Sequence, residues 1–393
     1  MTDYRFLLSG LCIYDIKSDP IIEGFMKMSD GAEAAAEGYA QIVGTLLSSG
    51  SDIGAYLTAL LCRKGLPEGV LANKASDKYA KLAIASDLSA LAQLADIKPA
   101  TLKKELSAQY GKNFTALPDY CSKGAGENFN GKFFVSYALK NGSGIFSQSK
   151  TFSWSNHALE PVDCTDAVPF AELHGYEIQR HRIYENTEFF CKHLPACNAL
   201  LYGDRGTGKS ATIKALAMEF ANLRMVDLPK SAIDELPELF GILAKSSLRF
   251  IVTIDDLSFA ENDDRFNALK AALEGSLSSR PENVLIYATT NRRKLIKDEQ
   301  RSDDVSRSDS IDESMSLADR FGLFVTFARP DKQDYLERIL DGKERLGLTY
   351  GDDELELAAN RFAARRGGFS ARIAEQFLGW ARARDESGLD LND

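Results

Sequence analysis

The feature that most restricts how this chain can fold is the run Gly203-Asp204-Arg205-Gly206-Thr207-Gly208-Lys209-Ser210. It stands between a short apolar segment, 199–202, that reads as a buried strand and an apolar-periodic segment, 210–223, that reads as a helix. Only small residues let a row of backbone N–H groups close around an anion, and three glycines meet that need. The helix that follows directs its positive end at the same point. In the spacing G-x-x-x-x-G-K-[ST], the lysine reaches the β- and γ-phosphates of a nucleotide and the hydroxyl of Ser210 can ligate Mg²⁺. Average composition yields this pattern by chance in roughly 1–2% of chains of this length. A glycine-rich structural turn is therefore the weaker reading. The candidate nucleotide-binding set is the eight residues above with Ala211.

A strand–loop–helix start of this kind calls for a parallel sheet, and the sequence continues in that way. Strands are predicted at 224–228, 249–255, 283–289 and 324–328, and helices at 235–246 and 264–277. The strands are apolar nearly throughout, which implies a sheet covered by helices on both faces. The segment 250–256, Phe-Ile-Val-Thr-Ile-Asp-Asp, is a buried strand ending in two carboxylates. Such an ending brings acids to the carboxyl edge of the sheet, beside the phosphate loop. Asp255 is expected to hold Mg²⁺ and Asp256 to polarise an attacking water. The competing reading is that paired Asp simply ends a strand.

At 393 residues the chain is long enough for two or three domains. Residues 1–164 are expected to form an N-terminal accessory or partner domain, 165–330 the α/β core and 331–393 a helical lid. The first region is mainly helical (α+β). Helices are expected at 32–47 and 77–94, a strand at 133–139, a turn at 141–144 and a return strand from Ile145. The apolar run 6–14 reads as a core segment, with no cleavage site behind it. In the third region, three helical patterns cover 331–345, 352–365 and 370–384, with Gly367-Gly368 dividing the last two. The polar stretch 297–316 cannot bury a core and reads as a surface insertion.

Hydrophobic residues make up 44% and charged residues 26%, the balance of an ordinary globular protein. The net charge of -10 disfavours non-specific binding to nucleic acid or to an anionic membrane. No apolar stretch reaches the ~20 residues that a spanning helix needs, and a cytoplasmic location is expected. The six cysteines contain no Cys-x-x-Cys pair and read as reduced and structural. His174, His181, Cys191, His193 and Cys197 are zinc-capable types, but their spacing fits no finger or ribbon.

The runs LLYGDRGTGKS (200–210), IDDLSF (254–259), LEGSLSSRPENVLIYATT (273–290) and LADRFGL (317–323) together resemble the AAA+ ATPases. The resemblance spans about residues 170–380. It is nearest to an uncharacterised bacterial AAA+ family known as a domain of unknown function. The segment LHGYEIQRHRIYENT (173–187) also resembles that family, and in AAA+ proteins such lead-in segments lie over the adenine. The resemblance implies a three-layer P-loop core with a parallel sheet and a C-terminal helical lid, binding ATP and Mg²⁺. It implies that Asn291 is the sensor 1 residue beside the γ-phosphate, though a strand-end turn would also favour Asn. Arg320 resembles the arginine finger donated to a neighbouring subunit, or else pairs with Asp319. Arg372 resembles the sensor 2 arginine of the lid, with Arg361, Arg365 and Arg366 as competitors. Many AAA+ proteins carry Glu where Asp256 stands, so slower hydrolysis is expected. Glu261 is a weaker substitute. Leu239-Phe240-Gly241 has the flavour of a pore loop but falls inside a predicted helix.

Three functional readings stay open. The first is an ATP-hydrolysing homo-oligomer that remodels an unknown protein client. The second is a nucleotide-dependent switch with little hydrolysis. The third is a DNA-associated loader, supported by Arg382 and Arg384 and opposed by the acidic net charge.

Overall fold

The computed structural model describes residues 2–67, 70, 78–127, 129–163, 168–173, 175–259, 263–274, 280–291 and 320–391. The polar stretch 297–316, Glu261, Cys164, His174 and residues 317–319 lie outside the described residues. The chain divides into two compact units, Met1–Ser149 with Lys245–Leu248, and Lys150–Ala244 with Arg249–Asp393. Among the described residues no helix is long and apolar enough to cross a membrane.

The first unit is built of helices: α1 (Tyr4–Ser9), α2 (Pro20–Lys27), α3 (Ala32–Ser49), α4 (Ile53–Lys64), α5 (Lys78–Asp96), α6 (Pro99–Tyr110), α7 (Gly131–Asn141) and α8 (Ile145–Gln148). The helices read at 32–47 and 77–94 are α3 and α5. The apolar run 6–14 is split in its burial. Leu8, Leu11 and Tyr14 are buried while Phe6 is 81% exposed. The chain leaves α1 at Gly10, and the buried carboxylate of Asp87 on α5 then accepts the backbone N–H groups of Cys12, Ile13 and Tyr14 at 3.0, 2.7 and 3.2 Å.

The strand expected at 133–139 is a correction, because the residues form α7. Asn130 caps that helix by accepting the N–H of Phe133 at 3.0 Å, and the chain leaves it at Gly142 with φ of +80°. Phe134 and Ala138, one turn apart, face the core. Ile145 onward is the short helix α8 rather than a return strand. Aromatic and β-branched content favoured a strand locally, and burial on a helical repeat overrode it.

The second unit contains β1 (Thr151–Ser155), β2 (Ala158–Pro161), α9 (Glu177–Cys191), β3 (Ala199–Gly203), α10 (Lys209–Glu219), β4 (Leu223–Asp227), α11 (Leu236–Leu243), β5 (Arg249–Ile254), α12 (Asp264–Glu274), β6 (Val284–Thr290), β7 (Leu323–Phe327), α13 (Lys332–Leu346), α14 (Asp352–Arg365) and α15 (Ala371–Glu386). The seven strands form one sheet in the order β2-β1-β4-β5-β6-β3-β7. Every pairing is parallel except the β1–β2 hairpin. The hairpin was not visible in the sequence and carries the sheet upstream to Thr151. Its two turn residues, Asn156 and His157, both take left-handed backbone angles, which suits the twist of a two-residue hairpin. Phe152 and Trp154 anchor β1 in the core.

The central strands are apolar on both faces, as a helix-covered parallel sheet requires. Phe250, Ile251, Val252 and Ile254 of β5, and Ile286, Tyr287 and Ala288 of β6, are fully buried. Burying each Phe, Ile or Val among them stabilises the fold by roughly 1.5–3 kcal/mol. Leu239 and Phe240 are buried on α11 and pack in the core, while Gly241 is exposed.

The lid, α13 to α15, closes around Tyr335, Ile339, Phe377 and Leu378. A reciprocal capping box between Asp331 and Asp334 starts α13. Ser370 starts α15 by accepting the N–H of Ile373 at 3.2 Å.

Candidate nucleotide site

The strand order decides where the site forms. The loop strand β3 lies between β6 and β7, and β5 is the next strand beyond β6. The carboxyl ends of β3, β5 and β6 therefore deliver the phosphate loop, the paired acids and Asn291 to one edge of the sheet.

Gly203 ends β3 with φ of +154°, and a Cβ there would lie 2.0 Å from the Phe327 carbonyl oxygen on β7. Only glycine lets the two strands converge at this point. Gly206, at φ +79°, sits under the lid, where an added Cβ would lie 3.2 Å from the Cβ of Arg372. The Arg372 N–H points at the Gly206 carbonyl at 3.4 Å.

Lys209 begins α10 and is buried. Its Nζ donates to the carbonyl oxygens of Gly203 and Asp204 at 2.6 and 2.8 Å and to Asn291 Oδ1 at 2.9 Å. Burial lowers the pKa of its ammonium, and Asp255, Asp204 and Asp256 oppose that shift. Asn291 in turn donates from Nδ2 to Asp256 Oδ1 at 2.8 Å. Lys230 approaches the other oxygen of Asp256 at 3.7 Å.

Ser210 Oγ donates to Asp255 Oδ1 at 2.7 Å. Thr289, near the end of β6, fixes both acids. Its hydroxyl donates to Asp255 Oδ1 and accepts the backbone N–H of Asp256 at 3.0 Å. Asp256 takes φ of +51°, a left-handed conformation that Asp and Asn tolerate better than most residues. The adjoining oxygens of Ser210 and Asp255 fit a hard cation such as Mg²⁺, which characteristically uses one or two protein oxygens beside substrate phosphates. Among the described residues no group of three or more His, Cys, Asp or Glu could hold a metal by itself.

These residues line a cleft of 610 Å³ between the core and the lid. Arg205, Ala211, Asp255, Asp256, Asn291 and Arg372 all contribute to its wall. Arg361, Arg365 and Arg366 are not among the lining residues, and Arg366 instead donates to Gln376 at 3.0 Å and lies over the Phe362 ring. Arg320 also does not line the cleft. It stands half-buried in the turn before β7.

Several lining residues receive no role from the sequence: Thr289, Arg338, Arg345, Glu375 and Arg180, although Thr289 and Arg180 fall inside the segments 273–290 and 173–187 that carry the resemblance. Arg180 reaches the loop because Tyr176, at the start of α9, donates to the Ala328 carbonyl at 2.6 Å and packs on Phe327. Helix α9 is thereby pinned beside the end of β7.

A loop strand flanked by the last strand of the sheet on one side and by the Asn291 strand on the other, with the paired acids one strand further on and a helical lid above, defines a P-loop protein of the AAA+ class. Residues 147–385 match a family described only as "Protein of unknown function (DUF815)". The chain belongs to that family.

Among curated proteins, the chain is 26% identical over 281 residues to the ATPase family gene 2 protein of Schizosaccharomyces pombe. The match covers 62% of this chain and 32% of the relative, so the chain spans about a third of that protein's length. Among solved structures, the RuvB Holliday junction branch migration motor of Thermotoga maritima is 18% identical, with a TM-score of 0.38, covering 56% of this chain and 67% of that one. A RuvB point mutant from the same organism is 16% identical with a TM-score of 0.41, covering 56% and 68%.

Proposed function

We propose that this chain binds Mg-ATP in the core–lid cleft, hydrolyses it to ADP and phosphate, and uses the resulting change in lid position to act on a protein partner. The observation that carries this reading is that two separate oxygen sites and Lys209 line one cleft. One is the Ser210–Asp255 pair at 2.7 Å, and the other is the Asp256 carboxylate, reached through Asn291. Bound at the first pair, Mg²⁺ would neutralise charge on the β- and γ-phosphates. Lys209 releases its backbone carbonyl partners to take a phosphate oxygen. Asp256, oriented by Asn291, holds the attacking water by accepting its hydrogen bond. Arg372 contributes a cation from the lid.

Arg320 is read as a finger that completes the cleft of a neighbouring copy, which makes the working form a homo-oligomer. Its position outside its own cleft supports that role. Residues 1–164 are read as the partner-binding part, except that the β1–β2 hairpin within them joins the core sheet, with 165–330 as the rest of the catalytic core and 331–393 as the lid.

A second reading, a nucleotide-dependent switch, draws on Asp256. Its carboxylate is short, set in a left-handed backbone and engaged by both Asn291 and Lys230. Single-turnover phosphate release from ATP, measured with Mg²⁺ and again with a chelator, separates the two. Release above buffer that needs Mg²⁺ and vanishes in Lys209→Ala supports hydrolysis. Tight ATP binding with release equal to buffer selects the switch.

A further inference from the structure

Two arginines that receive no role from the sequence face the nucleotide cleft, Arg180 from the lead-in segment of the core and Arg338 from the lid. Arg180 lies one turn into α9 and is only 5% exposed. Its Nη2 is 3.8 Å from where a Cβ on Gly208 of the phosphate loop would stand. Arg338, in the middle of α13, is half-buried. Its Nη2 is 3.0 Å from the same position on Gly175, two residues before α9. Both line the cleft that holds Lys209.

Placing two guanidinium groups here is costly in the absence of an anion. Burial lowers the pKa of both; for Arg180 the value falls to about 10, with Arg338 as the next cause after burial, and for Arg338 the neighbouring Arg345 pushes the same way. The carboxylates that act on the pair are Glu177 and Glu375. Glu375 is shared, since it also pairs with Arg345 at 3.2 Å. Six cationic side chains and four carboxylates line the cleft, and two of those carboxylates, Asp255 and Asp256, face the metal and water positions.

The geometry points to a charge latch in which Arg180 on the core and Arg338 on the lid both grip the phosphates of a bound nucleoside di- or triphosphate, so that the polyanion itself fastens lid to core. The inference rests on the proposed reading of the cleft as a nucleotide site and adds to it the residues that couple occupancy to lid position. Charge-assisted hydrogen bonds from guanidinium to phosphate are strong and geometrically selective. A ligand that contacts both elements favours the arrangement in which they are together. Because neither arginine belongs to the metal and water positions, ADP engages the latch as ATP does.

The test uses the full chain and titrates ADP and ATP by calorimetry. Arg180→Gln and Arg338→Gln should each weaken ADP binding at least tenfold, and Arg180→Lys and Arg338→Lys should recover most of the loss. In the wild type, ADP should slow hydrogen exchange along α13, and Arg338→Gln should lose that protection. A merely structural role would lower the melting temperature of the ligand-free variants and leave ADP affinity unchanged. Wild-type protein that binds nucleotide, with glutamine variants that bind it within twofold or lysine variants that rescue nothing, overturns the latch and leaves the phosphate-loop reading standing. Wild-type protein that binds neither ADP nor ATP overturns both.

Discussion

Lys209 and Asp256 are joined through one side chain. Asn291 accepts from Lys209 Nζ at 2.9 Å and donates to Asp256 Oδ1 at 2.8 Å. The cation and the acid proposed to meet phosphate and water are thus both held by the residue that follows β6, a strand that carries neither.

That arrangement predicts a split between binding and turnover. Asn291→Ala should leave ATP affinity within about threefold and lower hydrolysis by about a hundredfold, the scale on which losing one preorganised polar contact acts. Equilibrium titration alongside phosphate release reads the two separately. Equal losses in both would show that Asn291 serves Lys209 alone.

Asp256 invites a pair of substitutions. Asn keeps the left-handed backbone angle at little cost but cannot act as a base, so Asp256→Asn should hold ATP and lose hydrolysis by roughly 10²–10⁴-fold. Glu lacks the short polar side chain that suits this angle, so Asp256→Glu should melt lower, by about 1 kcal/mol. An Asp256→Glu protein as stable as the wild type would contradict the backbone explanation for the aspartate.

Arg320→Ala should bind ATP normally and hydrolyse it roughly 10³-fold more slowly, as expected for an arginine that meets transition-state charge from a neighbouring copy. The wild-type rate per chain should rise with protein concentration, while the variant's should stay flat. Full activity in Arg320→Ala would remove the finger assignment.

A pH effect is expected at the β1–β2 hairpin. His157 Nδ1 lies 2.8 Å from Glu238 Oε2 and 3.5 Å from Glu235 Oε2, and these carboxylates raise its pKa, the hydrogen bond to Glu238 first. A histidine with a raised folded pKa stabilises the fold fully below its unfolded value and loses that contribution as pH climbs through the folded one. The melting temperature of the wild type relative to His157→Gln should therefore be higher at about pH 6 than at about pH 8.5. A difference that stays constant across that range would show that the pair is not felt by the fold.

What could be read from the sequence followed the physics of each segment. The phosphate loop was legible because its glycines answer a backbone requirement that no other residue meets, and β5 because burial on both faces leaves an unbroken apolar run. The β1–β2 hairpin was not legible. Its turn residues, Asn156 and His157, lack the glycine that usually marks such a turn. Helix α7 was misread because Phe133, Phe134, Val135 and Tyr137 favour a strand locally, whereas the deciding features were the cap at Asn130 and the exit at Gly142. Arg338 gave no signal and Arg180 only that of the segment around it, 173–187, since the place of each lies in the approach of α13 and α9 to the cleft, and linear spacing does not encode it.

The contact between Arg372 N–H and the Gly206 carbonyl has a consequence for how this lid can diverge. The groups that meet there are peptide groups, so replacing side chains along α15 leaves that touch in place. Changes in chain length between Gly367-Gly368 and Ser370 would shift which residue arrives over the loop. Exposed positions of α15 other than Arg372 are therefore free to change while the register stays fixed, and a single inserted residue before Ser370 should do more harm than several exchanges on that exposed face.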